Sequence, residues 1–180
     1  YNSVRIAPMK AKAIVFEAPK SLRVRELELA PMGPTDLEVT VHFSGISAGT
    51  ERLLWEGTMP PFPGLAYPLV PGYESVGEVA RVGAEVHDFS VGDVVFLPGS
   101  YAFQGVQNIF GGAGERLVVP QDRAVRLAPS LGSKGVLLAL AATAHHVFTV
   151  GRAGAPLAYP DLIVGHGIMG RLLARMVVAA

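Results

Sequence analysis

Six residues near the end of the chain, Gly165-His166-Gly167-Ile168-Met169-Gly170, have the spacing of a phosphate-binding glycine loop. They follow an apolar run, Asp161 to Val164, and precede a helix-forming run from Arg171 to Ala180. In that context Gly165 is expected to make a tight turn, Gly167 to let a pyrophosphate approach the backbone, and Gly170 to let helix and strand pack closely. Together with the first helical N–H groups at Ile168 and Met169, the glycines would cradle a dinucleotide. The plainer alternative is an ordinary glycine turn into a helix.

A second group of residues could handle a proton. Ser47, Thr50 and Glu51 lie on a Gly/Ser-rich elbow, and Tyr73-Glu74 follow Gly72. Moving a proton in a site without a metal takes a hydroxyl, carboxyl or imidazole side chain within hydrogen-bond reach. Tyr73, Thr50, Glu74, Glu51, His145 and His146 are the candidates for the side chain. Each has a bland alternative: Tyr73 as packing, Thr50 and Glu51 as a self-bonded turn, Glu74 as a loop anchor, the histidines as satisfied helix residues. Trp55, Met59, Phe62, Leu65 and Tyr67 could line an apolar cleft or fill local core. Phe103 and Phe110, beside a second glycine-rich loop, could cover the same opening.

The elements that must position these groups are read from pattern. Lys12 to Phe16 and Leu22 to Leu27, separated by Ala18-Pro19-Lys20, predict an opening hairpin. Leu37 to Phe43 alternates apolar and polar, a half-buried strand. Met59-Pro60-Pro61-Phe62-Pro63 is neither helix interior nor central strand. Strands are expected again at Ser75–Val82, Val91–Leu97, Glu115–Val119 and Arg123–Leu127, giving a mostly β barrel or sandwich. Ser133 could cap a buried or interdomain helix over Val136–Val150. Gly151 to Pro160 reads as a linker, and Asp161–Val164 as the first strand of a second domain.

Bulk properties limit the function classes. The 180 residues carry 15 Lys+Arg against 15 Asp+Glu, a zero balance that argues against nucleic acid. No cysteine is present, so disulfides and cysteine-ligated metals are excluded. The longest apolar stretch is interrupted and shorter than the ~20 residues of a membrane span, and no secretory signal is apparent. A cytoplasmic location is expected. Tyr1 to Pro8 precede a natural-looking start at Met9 and read as an appended remnant or an upstream extension.

The order of these elements, with the segments Ser44–Glu51, Val70–Gly77, Val91–Val95 and the glycine loop, resembles the medium-chain dehydrogenase/reductases. The resemblance implies a GroES-like substrate domain over 9–132, a connecting helix and linker over 133–160, and the first β-α of a truncated Rossmann domain over 161–180. Zinc-dependent members place a ligating cysteine in the first segment and a ligating histidine before the Glu of the second. Here Ser47 or Ala48 and Tyr73 occupy those places, and the five histidines have no compensating spacing. A zinc-free member is therefore expected, with no metal.

Among zinc-free members, the run Gly49–Trp55 through Met59–Pro63 to Pro71–Glu74 is similar to the dehydrogenases of bacteriochlorophyll biosynthesis. That likeness implies NAD-dependent oxidation of a tetrapyrrole's 3-(1-hydroxyethyl) group to acetyl. Catalytic candidates are then Tyr73, Thr50, Glu74 and His145, and substrate-binding candidates Ser47, Glu51, Trp55 and Phe62. NADP is not excluded as cofactor, because the ribose-binding acid would lie beyond Ala180. The chain by itself is expected to bind dinucleotide poorly and to be inactive. The alternatives are a zinc-free quinone or enoyl reductase and a non-enzymatic binding fragment. The family often forms dimers, but the sequence does not decide a homodimer.

Overall fold

Along the first strand, Ala11, Ala13 and Val15 are buried while Lys10, Lys12 and Ile14 are not, the period-two signature of a sheet with one covered face. The computed structural model describes residues 8–150 and 159–179. They divide into two units, one ending at Val136 and one beginning at Leu137. The first seven residues and most of the predicted linker lie outside the described residues.

The first unit is built on two sheets. In one, β1 (Lys10–Ala18) pairs antiparallel with β2 (Ser21–Glu28), as the hairpin reading required, and continues through β4 (Leu69–Val70) to β7 (Gln107–Asn108). In the other, β3 (Asp36–Ser44) lies between β8 (Arg116–Pro120) and β5 (Ser75–Val82), followed by β6 (Val94–Leu97) and β9 (Val125–Arg126). Val15, Leu29, Leu37, Val39, Val79, Val95, Leu97 and Leu117 form the main core. A satellite cluster of Phe16, Leu54, Leu69 and Ile109 packs with Trp55, Met59, Leu65 and Tyr67.

Several expected boundaries move. The strand read at Val91 starts only at Val94, because Val91-Gly92 form the turn before it. The strand read from Arg123 shrinks to two residues behind a short 3-10 turn at Gln121–Arg123. The elbow after β3 contains a helix, α1 (Thr50–Glu56), that local composition did not announce. Strand alternation also fails at both ends of β3. Glu38 is buried on the supposedly solvent face, and Phe43 is 44% exposed because the register slips between Val41 and Phe43. Phe103 belongs to the core and cannot cover an opening.

In the second unit, α2 (Leu138–Thr149) packs against α3 (Ile168–Val178). Ser133 does not cap α2: it lies in a 3-10 segment, Pro129–Leu137, and α2 begins after Leu137 with no side-chain cap. Nor is α2 a buried helix, since only Ala144 and Phe148 are buried along it. Asp161–Val164 joins no described ladder. A strand exists by pairing, and apolar composition alone supplies no partner for its backbone groups.

Candidate active site

The elbow and the Gly72-Tyr73-Glu74 segment meet because β3 and β5 pair to their ends, with Ser44 opposite Ser75. The Gly45 N–H then donates to the Glu74 carbonyl at 2.8 Å. On the other side, the Gly112 N–H donates to the Gly72 carbonyl at 2.8 Å, and the Ser75 hydroxyl donates to the Gly112 carbonyl at 2.8 Å. Phe110 meets Tyr73 edge-on, centroids 5.4 Å apart. The Tyr73-Glu74 backbone is thus fixed from two directions.

The elbow is held by its own polar side chains. Ser47 Oγ accepts from the Thr50 N–H at 3.2 Å, and Glu51 Oε2 accepts from the Ser47 N–H at 2.9 Å. The first bond satisfies the Thr50 N–H, which the first turn of α1 leaves without a helical partner, and the second ties the Ser47 backbone to that turn. The self-bonded turn anticipated for Thr50 and Glu51 exists, but it does not use the Thr50 side chain. Instead the Tyr73 hydroxyl donates to Thr50 Oγ1 at 3.3 Å.

The neighbouring carboxyls lie in a different environment. Glu51 is 7% and Glu74 4% exposed. Burial pushes the Glu51 carboxyl up to about 7, against the backbone N–H groups of Glu51 and Ser47 that lower it, with the charge of Glu74 adding to the rise. Burial likewise raises Glu74 above the usual carboxylate range. Glu74 Oε1 has no hydrogen-bond partner among the described residues. A Cβ on Gly45 would lie 2.2 Å from Glu74 Oε2, so only glycine leaves room for that carboxyl.

Ser47, Glu51 and Trp55 line a mostly apolar cavity of about 820 Å³, shared with Ile14, Leu22 and Val24 from the outer face of the β1–β2 hairpin. The hairpin's contribution was missed from the sequence, although the unbroken run Ile14-Val15-Phe16 signals a strand with two apolar faces. Trp55 also packs into the satellite cluster, so its cleft and core readings hold together. Phe62 is 39% exposed and does not line the cavity.

In the second unit, His145 is exposed and meets Phe148 edge-on at 6.4 Å, and the Thr149 hydroxyl lies 3.4 Å from His146 Nδ1. The glycine loop fits a dinucleotide's phosphates. Gly165 adopts φ +105°, Gly167 has open space where a side chain would project, and a Cβ on Gly170 would lie 2.2 Å from the Gly165 carbonyl oxygen. Helix α3 starts without a side-chain cap among the described residues, as a phosphate-binding helix N-terminus requires. Among the described residues, no three His, Cys, Asp or Glu side chains converge as a metal site. None of the described helices is long and apolar enough to cross a membrane.

Comparison with known proteins places this geometry in a lineage. The chain is 51% identical over 96% of its length to the 2-desacetyl-2-hydroxyethyl bacteriochlorophyllide A dehydrogenase of Rhodobacter capsulatus, and 48% identical over 96% to that of Cereibacter sphaeroides. It covers 54% of each, so it spans about half the length of these relatives. Its fold matches CAD from Helicobacter pylori, solved with NADP(H), at a TM-score of 0.74 over 96% of this chain and 57% of that one, with 16% identity. It also matches 2R,3R-butanediol dehydrogenase from Bacillus subtilis at 0.68, over 94% of this chain and 55% of that one, with 24% identity. Residues 33–129 match the sequence model of the alcohol dehydrogenase GroES-like domain, and the chain belongs to that family, within the medium-chain dehydrogenases.

Proposed function

We propose that this chain is the substrate-binding part of a zinc-independent, NAD(P)-dependent dehydrogenase that oxidises the 3-(1-hydroxyethyl) group of a bacteriochlorophyllide or chlorophyllide to acetyl. The domain reading goes with it: residues 9–132 as the substrate domain, 133–160 as connection, and 161–180 as the start of the nucleotide-binding domain. The similarity to the two bacterial relatives supports the substrate. The observation that carries the chemistry is the Tyr73–Thr50 hydroxyl pair, 3.3 Å apart. It stands where zinc-dependent relatives are expected to polarise their alcohol.

The chain's own groups divide the work. Tyr73 and Thr50 hold the substrate oxygen and accept its proton, and Phe110 keeps the Tyr73 ring upright. Ser47 and Glu51 hold the elbow that carries Thr50, and Trp55 offers an apolar wall to a flat ring system. The bound nicotinamide supplies the hydride acceptor. Gly165, Gly167, Ile168, Met169 and Gly170 would hold its pyrophosphate. A hydroxyethyl group on an aromatic macrocycle is benzylic in character and its ketone is conjugated, which lowers the demand for a Lewis acid.

The test uses the full-length enzyme, NAD and a 3-(1-hydroxyethyl) tetrapyrrole, followed by the change in pigment absorption. Tyr73→Phe is expected to lower kcat by roughly 10²-fold with little change in KM, the loss typical of a proton-handling group. Rigorous chelation should leave wild-type activity unchanged. No pigment oxidation, together with NADPH consumption on a quinone, would replace this reading with that of a quinone reductase.

A further inference from the structure

Within the segment from Ile109 to Gly112, Phe110 alone is open to solvent. It is 36% exposed, while Ile109, Gly111 and Gly112 are buried. The backbone on both sides of it is engaged. The Ile109 and Gly111 N–H groups donate to the Val70 carbonyl at 3.0 and 2.9 Å, and the Ser100 N–H donates to the Phe110 carbonyl at 3.0 Å. Gly112 is gripped at both ends, by the Gly72 carbonyl and by the Ser75 hydroxyl. Such close approach demands glycine at two places. Gly99 and Gly111 adopt φ +107° and +76°, and a Cβ on them would lie 2.1 Å from the Phe110 oxygen and 1.9 Å from the Ser100 oxygen.

A single exposed phenylalanine is ordinary. The other exposed aromatics of this unit are placed differently: Tyr101 lies under the Arg123 guanidinium at 4.5 Å, and Phe43 lines the apolar cavity. Phe110 instead stands against Tyr73, centroids 5.4 Å apart and planes at 85°, and the Tyr73 hydroxyl meets Thr50. An aromatic wall is thereby fixed in advance beside the hydroxyl pair. Fixing it removes the ordering cost that a mobile contact would bring to binding.

We propose that Phe110 is a specificity-determining residue, whose open ring stacks on the flat aromatic system of the substrate and turns its hydroxyethyl group toward Tyr73 and Thr50. This rests on the alcohol-oxidation reading above and extends it to how the substrate is chosen. With the substrate oxygen at the hydroxyl pair, the macrocycle begins one bond beyond the carbinol carbon and is wider than the 5.4 Å between the two rings. It must extend over what adjoins Tyr73. Of Thr50 and Phe110, the two side chains that meet Tyr73, only Phe110 offers an aromatic surface. Stacked there, the macrocycle lies nearly perpendicular to the Tyr73 ring, an arrangement aromatic groups favour. Aliphatic alcohols have no ring to stack and gain nothing from Phe110, so the contact selects by shape without touching the reacting bond.

Binding of a 3-(1-hydroxyethyl) tetrapyrrole to the full-length enzyme with NADH in place, followed by quenching of pigment fluorescence, reads the contact without turnover. Phe110→Leu keeps an apolar side chain and loses the aromatic face. Its Kd should rise roughly tenfold, and Phe110→Tyr should restore most of the affinity. A Kd for Phe110→Leu equal to that of the wild type overturns the proposal, even if kcat falls, because Phe110 would then serve only as a support for Tyr73.

The unmutated enzyme gives a second reading should the leucine variant fail to fold. With 4-fluorophenylalanine incorporated, the Phe110 fluorine signal, assigned by its absence from Phe110→Tyr, should move under the ring current of bound pigment. A signal that stays in place while pigment binds overturns the proposal. Pigment that binds with the expected Kd ratios and is never oxidised defeats the functional reading and leaves the Phe110 contact standing. Oxidation with equal Kd values does the reverse, and a wild type that binds no pigment overturns both.

Discussion

Two regions of the first unit bury glutamate in opposite ways. Glu38, near the start of β3, is 2% exposed, yet it meets Arg116 at 3.1 Å and pairs with Arg81 through its other oxygen. Both arginines come from neighbouring strands, so pairing β3 with β5 and β8 also completes the charge balance. Glu51 and Glu74 are buried to a similar degree, with no cation paired to them and one Glu74 oxygen unpartnered among the described residues. The first arrangement satisfies a charge. The second keeps a carboxyl's proton within reach of neutral pH, a property useful to chemistry and unfavourable to stability.

That contrast can be broken most severely at Glu38. Replacing Arg81 and Arg116 together with Met leaves a buried carboxylate uncompensated, and a loss of about 3–5 kcal/mol is expected in chemical denaturation. The same measurement on Glu74→Gln should show no comparable loss.

The next effect is pH-dependent. Glu51 is raised from 4.5 to about 7 in the folded chain, so between those values the native state binds more protons than the unfolded one. Stability should therefore be fully present below the unfolded value, fall as pH rises toward 7, and level off above it. Glu51→Gln should abolish much of that slope and raise stability at pH 8 by roughly 2 kcal/mol, offset in part by the altered bond to the Ser47 N–H. A flat pH–stability curve for the wild type would erase the distinction between the two regions.

Gly45→Ala sharpens the comparison further. Its Cβ would come within 2.8 Å of Glu74 Cβ as well as 2.2 Å of Oε2, so the Glu74 side chain must turn away. A loss of about 1–3 kcal/mol is expected, with the Glu51 midpoint shifting toward ordinary carboxylates in a carboxyl-carbon NMR titration. The smallest effect belongs to Tyr73→Phe: its 3.3 Å bond to Thr50 is long, and thermal denaturation should register a loss of under about 1 kcal/mol. Stability nearly unchanged beside a large fall in kcat would separate a working hydroxyl from a packing ring.

Much of this molecule was legible from local sequence, and the failures share a cause. The hairpin, β5 and the glycine turn follow from alternation and turn chemistry, which act over a few residues. Helix α1 was hidden because Gly49-Thr50-Glu51 has turn composition, and the bonds that brace its start, from the Thr50 N–H to Ser47 Oγ and from the Ser47 N–H to Glu51 Oε2, appear only when the chain is folded. The exposed face of α2 and the absence of a ladder partner for Asp161–Val164 among the described residues were not legible, because apolar composition reports a tendency to be covered without saying by what.

The sequence by itself determined which chemistry is available: hydroxyls and carboxyls at 50–51 and 73–74, no cysteine, and glycines spaced for a phosphate. Only the tertiary structure decided that Tyr73 reaches Thr50, 23 residues away, and that the adjoining carboxyls are buried with no cation paired to them among the described residues. The physical reason is that residue type fixes which protons can move, whereas desolvation and neighbouring charge, set by long-range strand pairing, fix at what pH they do so.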